Sequence, residues 1–326
     1  MVVLGISALS VGPMVLLGQG PALLARLFPF QRGLCHAYWA PNAWALAAAL
    51  DKLLATLLGQ TWRGRLAAGA AASPALRKLF VRAPSAGFGF HSLGGCPLAI
   101  LPEPSPLLCA LLSLLALLPS LWLLWRRPLL GFSAFLLALA LANLSAFTFG
   151  YHVHEKAALG FLAPLLLLRV LEGTSGLSAP VLGPALGAAV DNLSIVVTYS
   201  MTPLLFGEQE KPLAYLLVAL QAAAAPLLSA AAAGLVEPLP SRAPAVVLDR
   251  TMILPVSRLL AWGLLPLTVL REVLPLLLPR LEFLPLMVLS VYGATANGLL
   301  LLSLLTRTVF LADTFVTPGK EPGKTS

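Results

Sequence analysis

The sequence predicts an all-α polytopic membrane protein, and three properties of its composition support this fold class. Hydrophobic residues make up 59% of the 326 residues, charged residues only 10%, and the mean hydropathy is +0.90. A soluble domain carries about 25% charged residues, so this chain has too few charges to cover a water-exposed surface. The apolar content also excludes an intrinsically disordered chain. We therefore expect a single membrane domain over residues 1–326.

Long runs with few charges predict eight membrane spans, since a helix needs about 20 mostly apolar residues to cross a bilayer. The predicted spans lie at about residues 1–17, 106–125, 129–149, 157–171, 177–197, 213–236, 251–278 and 281–305. Many contain proline, which membrane helices tolerate because neighbouring helices and water satisfy the freed backbone groups.

Residues 44–59 form an apolar run with Asp51 and Lys52 at its centre. A charge at the middle of a bilayer costs roughly 2.5–3.5 kcal/mol on insertion scales. An interfacial or re-entrant helix is therefore predicted here rather than a ninth span.

The short basic turn Arg126-Arg127 predicts the orientation, because short loops rich in arginine face the cytosol. Alternation then places the segment 152–156 and the long loop 60–105 on the opposite side. It returns the tail, residues 311–326, to the cytosol. Loop 60–105 is itself basic, but long loops follow this rule poorly.

The net charge of +8 does not indicate a nucleic-acid partner, because the cations flank predicted spans and no basic run carries interleaved aromatic residues. The three cysteines form no CxxC or Cys/His pattern, so no metal is expected. Cys109 is expected to be a buried thiol, and a Cys35–Cys96 contact is left open.

A first polar cluster, called here the first motif, covers residues 28–44 and mixes aromatic with polar side chains. Its members are Arg32, His36, Tyr38, Trp39, Asn42 and Trp44. An interfacial aromatic belt accounts for the tyrosine and tryptophans but not for the arginine, histidine and asparagine. Sites for sugars and lipid phosphates use such mixtures, because arginine pairs with phosphate oxygens through charge-assisted hydrogen bonds. Both interpretations stay open from the residues alone.

The second motif, residues 149–156, is the densest ionisable group in the chain, with His152, His154, Glu155 and Lys156. Two histidines are too few to predict a metal site. If the segment is helical, His152, Glu155 and Lys156 share one face and His154 lies elsewhere. One interpretation is a capped, salt-bridged helix start. The other is an anion site at the membrane surface, since polar groups at membrane depth point to function.

Both motifs resemble a known family. The segments RLFPFQRGLCHAYWAPNAWALAAALDK (26–52) and FGYHVHEKA (149–157) are similar to the endoplasmic-reticulum glucosyltransferases that use dolichyl-phosphate-glucose. Those enzymes add glucose to the lipid-linked oligosaccharide for protein N-glycosylation. Where the first enzyme of the family has an acidic segment, this chain has Leu34-Cys35-His36. That resembles the second enzyme, the α-1,3-glucosyltransferase acting on the monoglucosylated Man9GlcNAc2 oligosaccharide.

The resemblance implies a GT-C-type transmembrane bundle in the endoplasmic-reticulum membrane, with both motifs and loop 60–105 in the lumen. It implies inverting transfer of glucose from dolichyl-phosphate-glucose to a dolichyl-pyrophosphate-linked oligosaccharide, with no metal or other cofactor. Arg32, His154 and Lys156 are expected to bind the donor phosphate. Contacts to sugar or lipid are expected from His36, Tyr38, Trp39, Asn42, Trp44, His152 and Glu155.

The resemblance covers only the C-terminal part of the family. The general-base aspartate of the family lies in a first lumenal loop, before the region matched here, and none of the 13 carboxylates of this chain takes its place. The catalytic residue is therefore unassigned, the bundle is expected to be incomplete at its N-terminus, and the chain alone is expected to be nearly inactive. The alternative is a polytopic transporter or lipid-handling protein without catalysis, although no inverted repeat is evident.

Overall fold

The computed structural model describes residues 2–27, 34, 40–58, 80–81, 98, 100–174, 181–205, 207, 209–235, 247–281 and 283–313. Within these ranges the helices are α1 (Val2–Leu16), α2 (Gly20–Leu27), α3 (Ala43–Leu58), α4 (Pro106–Arg126), α5 (Gly131–Phe149), α6 (Leu159–Thr174), α7 (Gly183–Ser200), α8 (Lys211–Leu235), α9 (Leu254–Trp262), α10 (Leu264–Leu277) and α11 (Leu284–Asp313). Short 3-10 helices cover Pro128–Leu130, Glu155–Ala158, Thr202–Leu204 and Pro279–Leu281, and a π-helical turn, Asp249–Ile253, precedes α9.

Two short strands interrupt this helical architecture. β1 (Phe80–Val81) and β2 (Glu103–Pro104) pair antiparallel, with Phe80 opposite Pro104 and Val81 opposite Glu103. They belong to the predicted loop 60–105, of which residues 60–79, 82–97 and 99 lie outside the described residues. Residues 314–326 of the predicted tail lie outside them as well, whereas residues 311–313 belong to α11.

Four helical stretches of the described chain are long and apolar enough to cross a membrane: α4, α5, Asp249–Leu277 and Pro279–Asp313. Leu4–Leu16 and Lys211–Leu227 are shorter apolar helices. The prediction of a helical, multi-pass membrane protein is confirmed. Helices also occupy each of the eight predicted spans, but the crossing of all eight stays a prediction.

The core of the bundle is built from leucine-rich faces of α5, α6, α7 and α11. Leu141, Leu165, Leu193 and Leu300 are fully buried there. By contrast α4 exposes large apolar side chains such as Leu114. A helix that is apolar on its outer face as well fits a lipid environment, where exposed leucine carries no hydration cost.

Charged side chains also lie inside the bundle, which hydropathy did not predict. Arg169 of α6 donates from Nε and Nη2 to the two carboxylate oxygens of Asp191 in α7, at 3.0 and 2.6 Å. Gly187 lets the guanidinium approach α7, because a Cβ there would lie 2.6 Å from Nη1 of Arg169. A second buried pair joins Asp249 to Arg307 of α11. Pairing and fork geometry offset the cost of burying these charges.

Helix α3 runs antiparallel along α11. Near its start, the Asn297 side-chain amide donates to the Pro41 carbonyl oxygen at 2.7 Å. Further along, Lys52 Nζ lies 4.0 Å from Met287 Sδ. Ten residues separate the two contacts on α11, which is about 15 Å at 1.5 Å per residue. Helix α3 therefore follows α11 over about 15 Å, and its predicted interfacial or re-entrant position in a membrane stays a prediction.

Candidate functional site

The first motif enters α3 through Asn42. Its Oδ1 accepts hydrogen bonds from the backbone N–H groups of Trp44 (3.1 Å) and Ala45 (3.4 Å), which makes Asn42 the N-cap of the helix. Asn42 is buried. Its side-chain oxygen Oδ1 is used to hold the start of α3 in place. The predicted contact of Asn42 with sugar or lipid has no support in this geometry.

Close packing of α7 and α11 holds this helix start in place. A Cβ on Gly293 of α11 would lie 2.7 Å from Pro41 Cβ and 2.8 Å from Ser200 Cβ at the end of α7. Both distances are below any normal carbon contact. Glycine is therefore what allows the end of α7, the start of α3 and the middle of α11 to meet.

One hydrogen bond joins the first motif to the second. Trp44 Nε1 donates to the Gly150 carbonyl oxygen at 2.7 Å, and the two residues are 106 positions apart. Trp44 also packs in one buried apolar cluster with Tyr151, Ala48 and Cys109. Gly150 ends α5, and a Cβ there would collide with the carbonyl oxygen of Ala146. The structure thus brings the two motifs together at the end of the bundle where α5 and α7 finish.

The second motif is not helical at its start, so the condition for a shared face of His152, Glu155 and Lys156 is not met. Residues 151–154 form a turn, and the 3-10 helix begins only at Glu155. The rings of His152 and His154 meet edge to face, with centroids 5.1 Å apart. The turn arises because the chain must leave α5 at Gly150 with extended backbone (φ −57°, ψ 143°).

The capped, salt-bridged helix start is not observed either. His154 occupies the N-cap position but makes no side-chain capping hydrogen bond. Glu155 and Lys156 form no ion pair with another described residue. Lys156 is exposed, whereas Glu155 is buried. The two adjacent side chains therefore face different surroundings, and the anion-site interpretation of this motif stays a prediction.

Glu155 is the buried carboxyl of the second motif. It is 5% exposed, and its Oε1 has no hydrogen-bond partner in the described part of the chain. Burial raises the pKa of Glu155 above its usual range, and a backbone hydrogen bond opposes part of this shift. An acceptor oxygen without a partner in a buried position is costly, so Glu155 is suited to receive a hydroxyl donor.

Sequence reasoning missed two carboxylates that fix the end of loop 60–105 onto this site. Asp51 accepts hydrogen bonds from the backbone N–H groups of Ile100 (2.8 Å) and Leu101 (2.7 Å). Tyr151 Oη donates to Glu103 Oε1 at 3.5 Å, next to the second motif. Both contacts span about fifty positions of sequence, and no local pattern could have indicated them.

Four of the predicted site residues, Arg32, His36, Tyr38 and Trp39, lie outside the described residues, as do Cys35 and Cys96. The predicted burial of the Cys109 thiol is confirmed at 1% exposed. No cluster of three His, Cys, Asp or Glu side chains among the described residues could hold a metal ion.

Comparison with known proteins identifies the family to which this chain belongs. The ALG6, ALG8 glycosyltransferase family model matches residues 1–304. The chain belongs to this family. Among curated proteins of the family type, the mouse "Dolichyl pyrophosphate Glc1Man9GlcNAc2 alpha-1,3-glucosyltransferase" is 39% identical over 222 residues, which is 68% of this chain and 37% of the mouse protein.

Plant and fungal relatives carry the same name. The Arabidopsis thaliana protein is 38% identical over 224 residues, covering 67% of this chain and 38% of its own length. The Schizosaccharomyces pombe protein is 32% identical over 294 residues, covering 90% and 51%. The chain thus spans between about a third and a half of the length of these relatives. No solved structure matches it significantly.

Proposed function

We propose that this chain carries the donor-binding part of an inverting α-1,3-glucosyltransferase. The donor would be dolichyl-phosphate-glucose, and the acceptor the dolichyl-pyrophosphate-linked Glc1Man9GlcNAc2 oligosaccharide that appears in the names of its relatives. The observation that carries the proposal is the hydrogen bond from Trp44 to Gly150, which joins the two motifs that share their pattern with the family.

The second motif supplies the groups that a phosphate requires. Lys156 is exposed and without an ion pair to a described residue, and His154 is half-buried beside it. In the proposal these two side chains and Arg32 bind the donor phosphate. Cations placed where charge develops stabilise a leaving phosphate most in a site with little water. In the same proposal Glu155 and His152, which flank His154 in the sequence, contact the glucose.

The reaction would be a displacement at the anomeric carbon of glucose. A hydroxyl oxygen of the acceptor forms the new bond to that carbon, the bond to the phosphate oxygen breaks, and its electron pair leaves on dolichyl phosphate. A carboxylate takes the hydroxyl proton as general base. The resemblance assigns this base to an aspartate outside the matched region, so the proposal gives no residue of this chain that role.

The proposed location is the endoplasmic-reticulum membrane, with the joined motifs facing the lumen. Support comes from the basic turn Arg126-Arg127 at the end of α4 opposite to Gly150, since short basic loops face the cytosol.

The test uses cells that lack the α-1,3-glucosyltransferase acting on the monoglucosylated oligosaccharide. Two proteins are expressed: this chain, and the mouse relative in which the matched segment is replaced by that of this chain. The size of the lipid-linked oligosaccharide is then measured. We expect the chimera to restore the diglucosylated product, and His154→Ala in the chimera to lower transfer about 100-fold.

The matched control is Phe135→Leu, on an exposed face of α5, which should leave transfer unchanged. Persistence of the monoglucosylated oligosaccharide in cells with a well-folded chimera would contradict the proposed function. Normal transfer by the His154→Ala chimera would contradict the phosphate role alone.

A further inference from the structure

A further polar cluster, separate from the two motifs, lies on α8 and α10, and it has no role in the proposed function. The α8/α10 cluster consists of Lys211, Tyr215, Arg271 and Glu272. Tyr215 Oη donates to Glu272 Oε1 at 2.5 Å, and Lys211 Nζ lies 3.9 Å from Glu272 Oε2. Arg271 Nη1 donates to the Thr202 hydroxyl in the 3-10 turn after α7. Three chain segments therefore converge on one group of side chains.

The cluster combines an aromatic surface with accessible charged groups. The Tyr215 and Tyr199 rings stack with their centroids 6.2 Å apart and 25° between their planes. The Arg271 guanidinium carbon lies 5.8 Å from the Tyr215 ring centroid. The side chain of Glu272 is 41% exposed and that of Lys211 29%. The pair at 3.9 Å is loose enough for a ligand hydroxyl to enter, because exposed ion pairs hold their partners weakly.

The α8/α10 cluster shares an end of the bundle with the two motifs. Thr202 lies two residues beyond Ser200, which packs against Gly293 and Pro41. Pro41 in turn leads into Trp44 and its bond to Gly150. Packed helices are roughly 8–10 Å apart, so the cluster lies on the order of 20 Å from the second motif. That separation suits a ligand much larger than the glucose being transferred.

We propose that the α8/α10 cluster binds the neutral hexose chain of the acceptor, which deepens the proposed function and rests on it. Tyr199 and Arg271 cover part of the half-buried Tyr215 ring, so the apolar face of a hexose would contact the part of the ring that stays exposed. Its hydroxyl groups can bond to Glu272 and Lys211, because hydrogen bonds to charged groups are the strong ones.

A phosphate is disfavoured at this site. The most exposed charged group of the cluster is the Glu272 carboxylate, which a phosphate would meet directly. Arg271 is bonded to Thr202, and its Nε also lies 3.7 Å from Glu272 Oε1. A neutral sugar chain has no such repulsion. Binding energy gathered away from the reaction centre also has a known use, because it orients a large substrate for the reaction.

The experiment measures binding, so that it does not depend on turnover. The full chain is reconstituted in lipid nanodiscs, and two probes are titrated: short-chain lipid-linked Glc1Man9GlcNAc2 and dolichyl-phosphate-glucose. Variants Tyr215→Ala and Glu272→Gln should weaken oligosaccharide binding about tenfold each, the loss expected for one aromatic contact or one hydrogen bond to a charged group. Donor binding should not change. Leu217→Ala, on an exposed face of the same helix, is the matched control.

Tyr215→Phe separates a binding role from a structural one. It keeps the ring and removes only the hydrogen bond to Glu272, so it should lose less oligosaccharide binding than Tyr215→Ala. Unchanged oligosaccharide binding in all three variants overturns the inference. An equal loss of binding of both probes, together with a lower melting temperature, also overturns the inference, because it shows that the cluster only stabilises the fold. If the wild-type chain binds the donor but not the oligosaccharide, this inference alone is contradicted. If the chain binds neither probe, the proposed function is contradicted as well.

Discussion

Replacing Arg169 by methionine should destabilise the bundle strongly. The change removes both hydrogen bonds from Arg169 to Asp191. The Asp191 carboxylate, which is only 3% exposed, then stays buried without them. Removing one partner of a buried pair costs about 3–5 kcal/mol, most of it from the charge that stays behind. This is a large part of the stability of a typical domain, so Arg169→Met should also lower the yield of folded protein.

The double variant Arg169→Met with Asp191→Leu should recover most of that loss, because it removes both charges of the pair. Buried pairs replaced by apolar residues of similar size are often neutral or more stable. Gly187 offers an internal check. Gly187→Ala should be harmful in the wild-type chain, where its Cβ would lie 2.6 Å from the guanidinium, and tolerated with Arg169→Met.

The assay is denaturant unfolding in a fixed detergent or nanodisc, read as the free energy of unfolding of the two single variants, the double variant and the wild type. The coupling energy of this double-mutant cycle should be at least about 2 kcal/mol. An Arg169→Met variant within 1 kcal/mol of the wild type, or a double variant no more stable than that single variant, would refute the reasoning.

Three further predictions concern the candidate site. Burial raises the pKa of Glu155, so the ionised carboxylate destabilises the fold. The melting temperature of the wild type should therefore fall as the pH rises through that raised pKa, whereas the melting temperature of Glu155→Gln should not. Asp51→Leu, which removes the acceptor for Ile100 and Leu101, should cost about 1–3 kcal/mol and speed limited proteolysis at residues 100–105; unchanged cleavage contradicts it. Gly293→Ala should weaken donor binding at least about tenfold in a titration by forcing Pro41 and Ser200 apart, whereas Gly298→Ala, whose Cβ meets nothing within 4 Å, should not.

Composition and hydropathy were enough to predict a helical membrane bundle, because lipid contact demands apolar helices regardless of how they pack. The grouping of the two motifs also followed from the sequence, through their resemblance to one family. Their actual contact, from Trp44 to Gly150, could not follow from spacing, since 106 positions separate the donor from the acceptor.

The contacts that the sequence could not show involve partners that are distant along the chain. Asp51 looked too costly for a span, and the structure satisfies it with backbone N–H groups about fifty positions away. Charge positions along the sequence could not show that Arg169 and Asp191, 22 positions apart, form a buried pair. Periodicity also could not show whether the second motif is helical, because it does not reveal that Gly150 leaves α5 in an extended conformation.

The central claim is that the two joined motifs form one donor site, and photoaffinity labelling tests it most directly. A dolichyl-phosphate-glucose analogue with a photoreactive group on the glucose is bound to the full chain, irradiated, and the labelled peptides are mapped. The account predicts label in peptides containing residues 41–44 and 150–156, with loss of label in His154→Ala and competition by unmodified donor. Competable label confined to other peptides, and unaffected by His154→Ala, would contradict it.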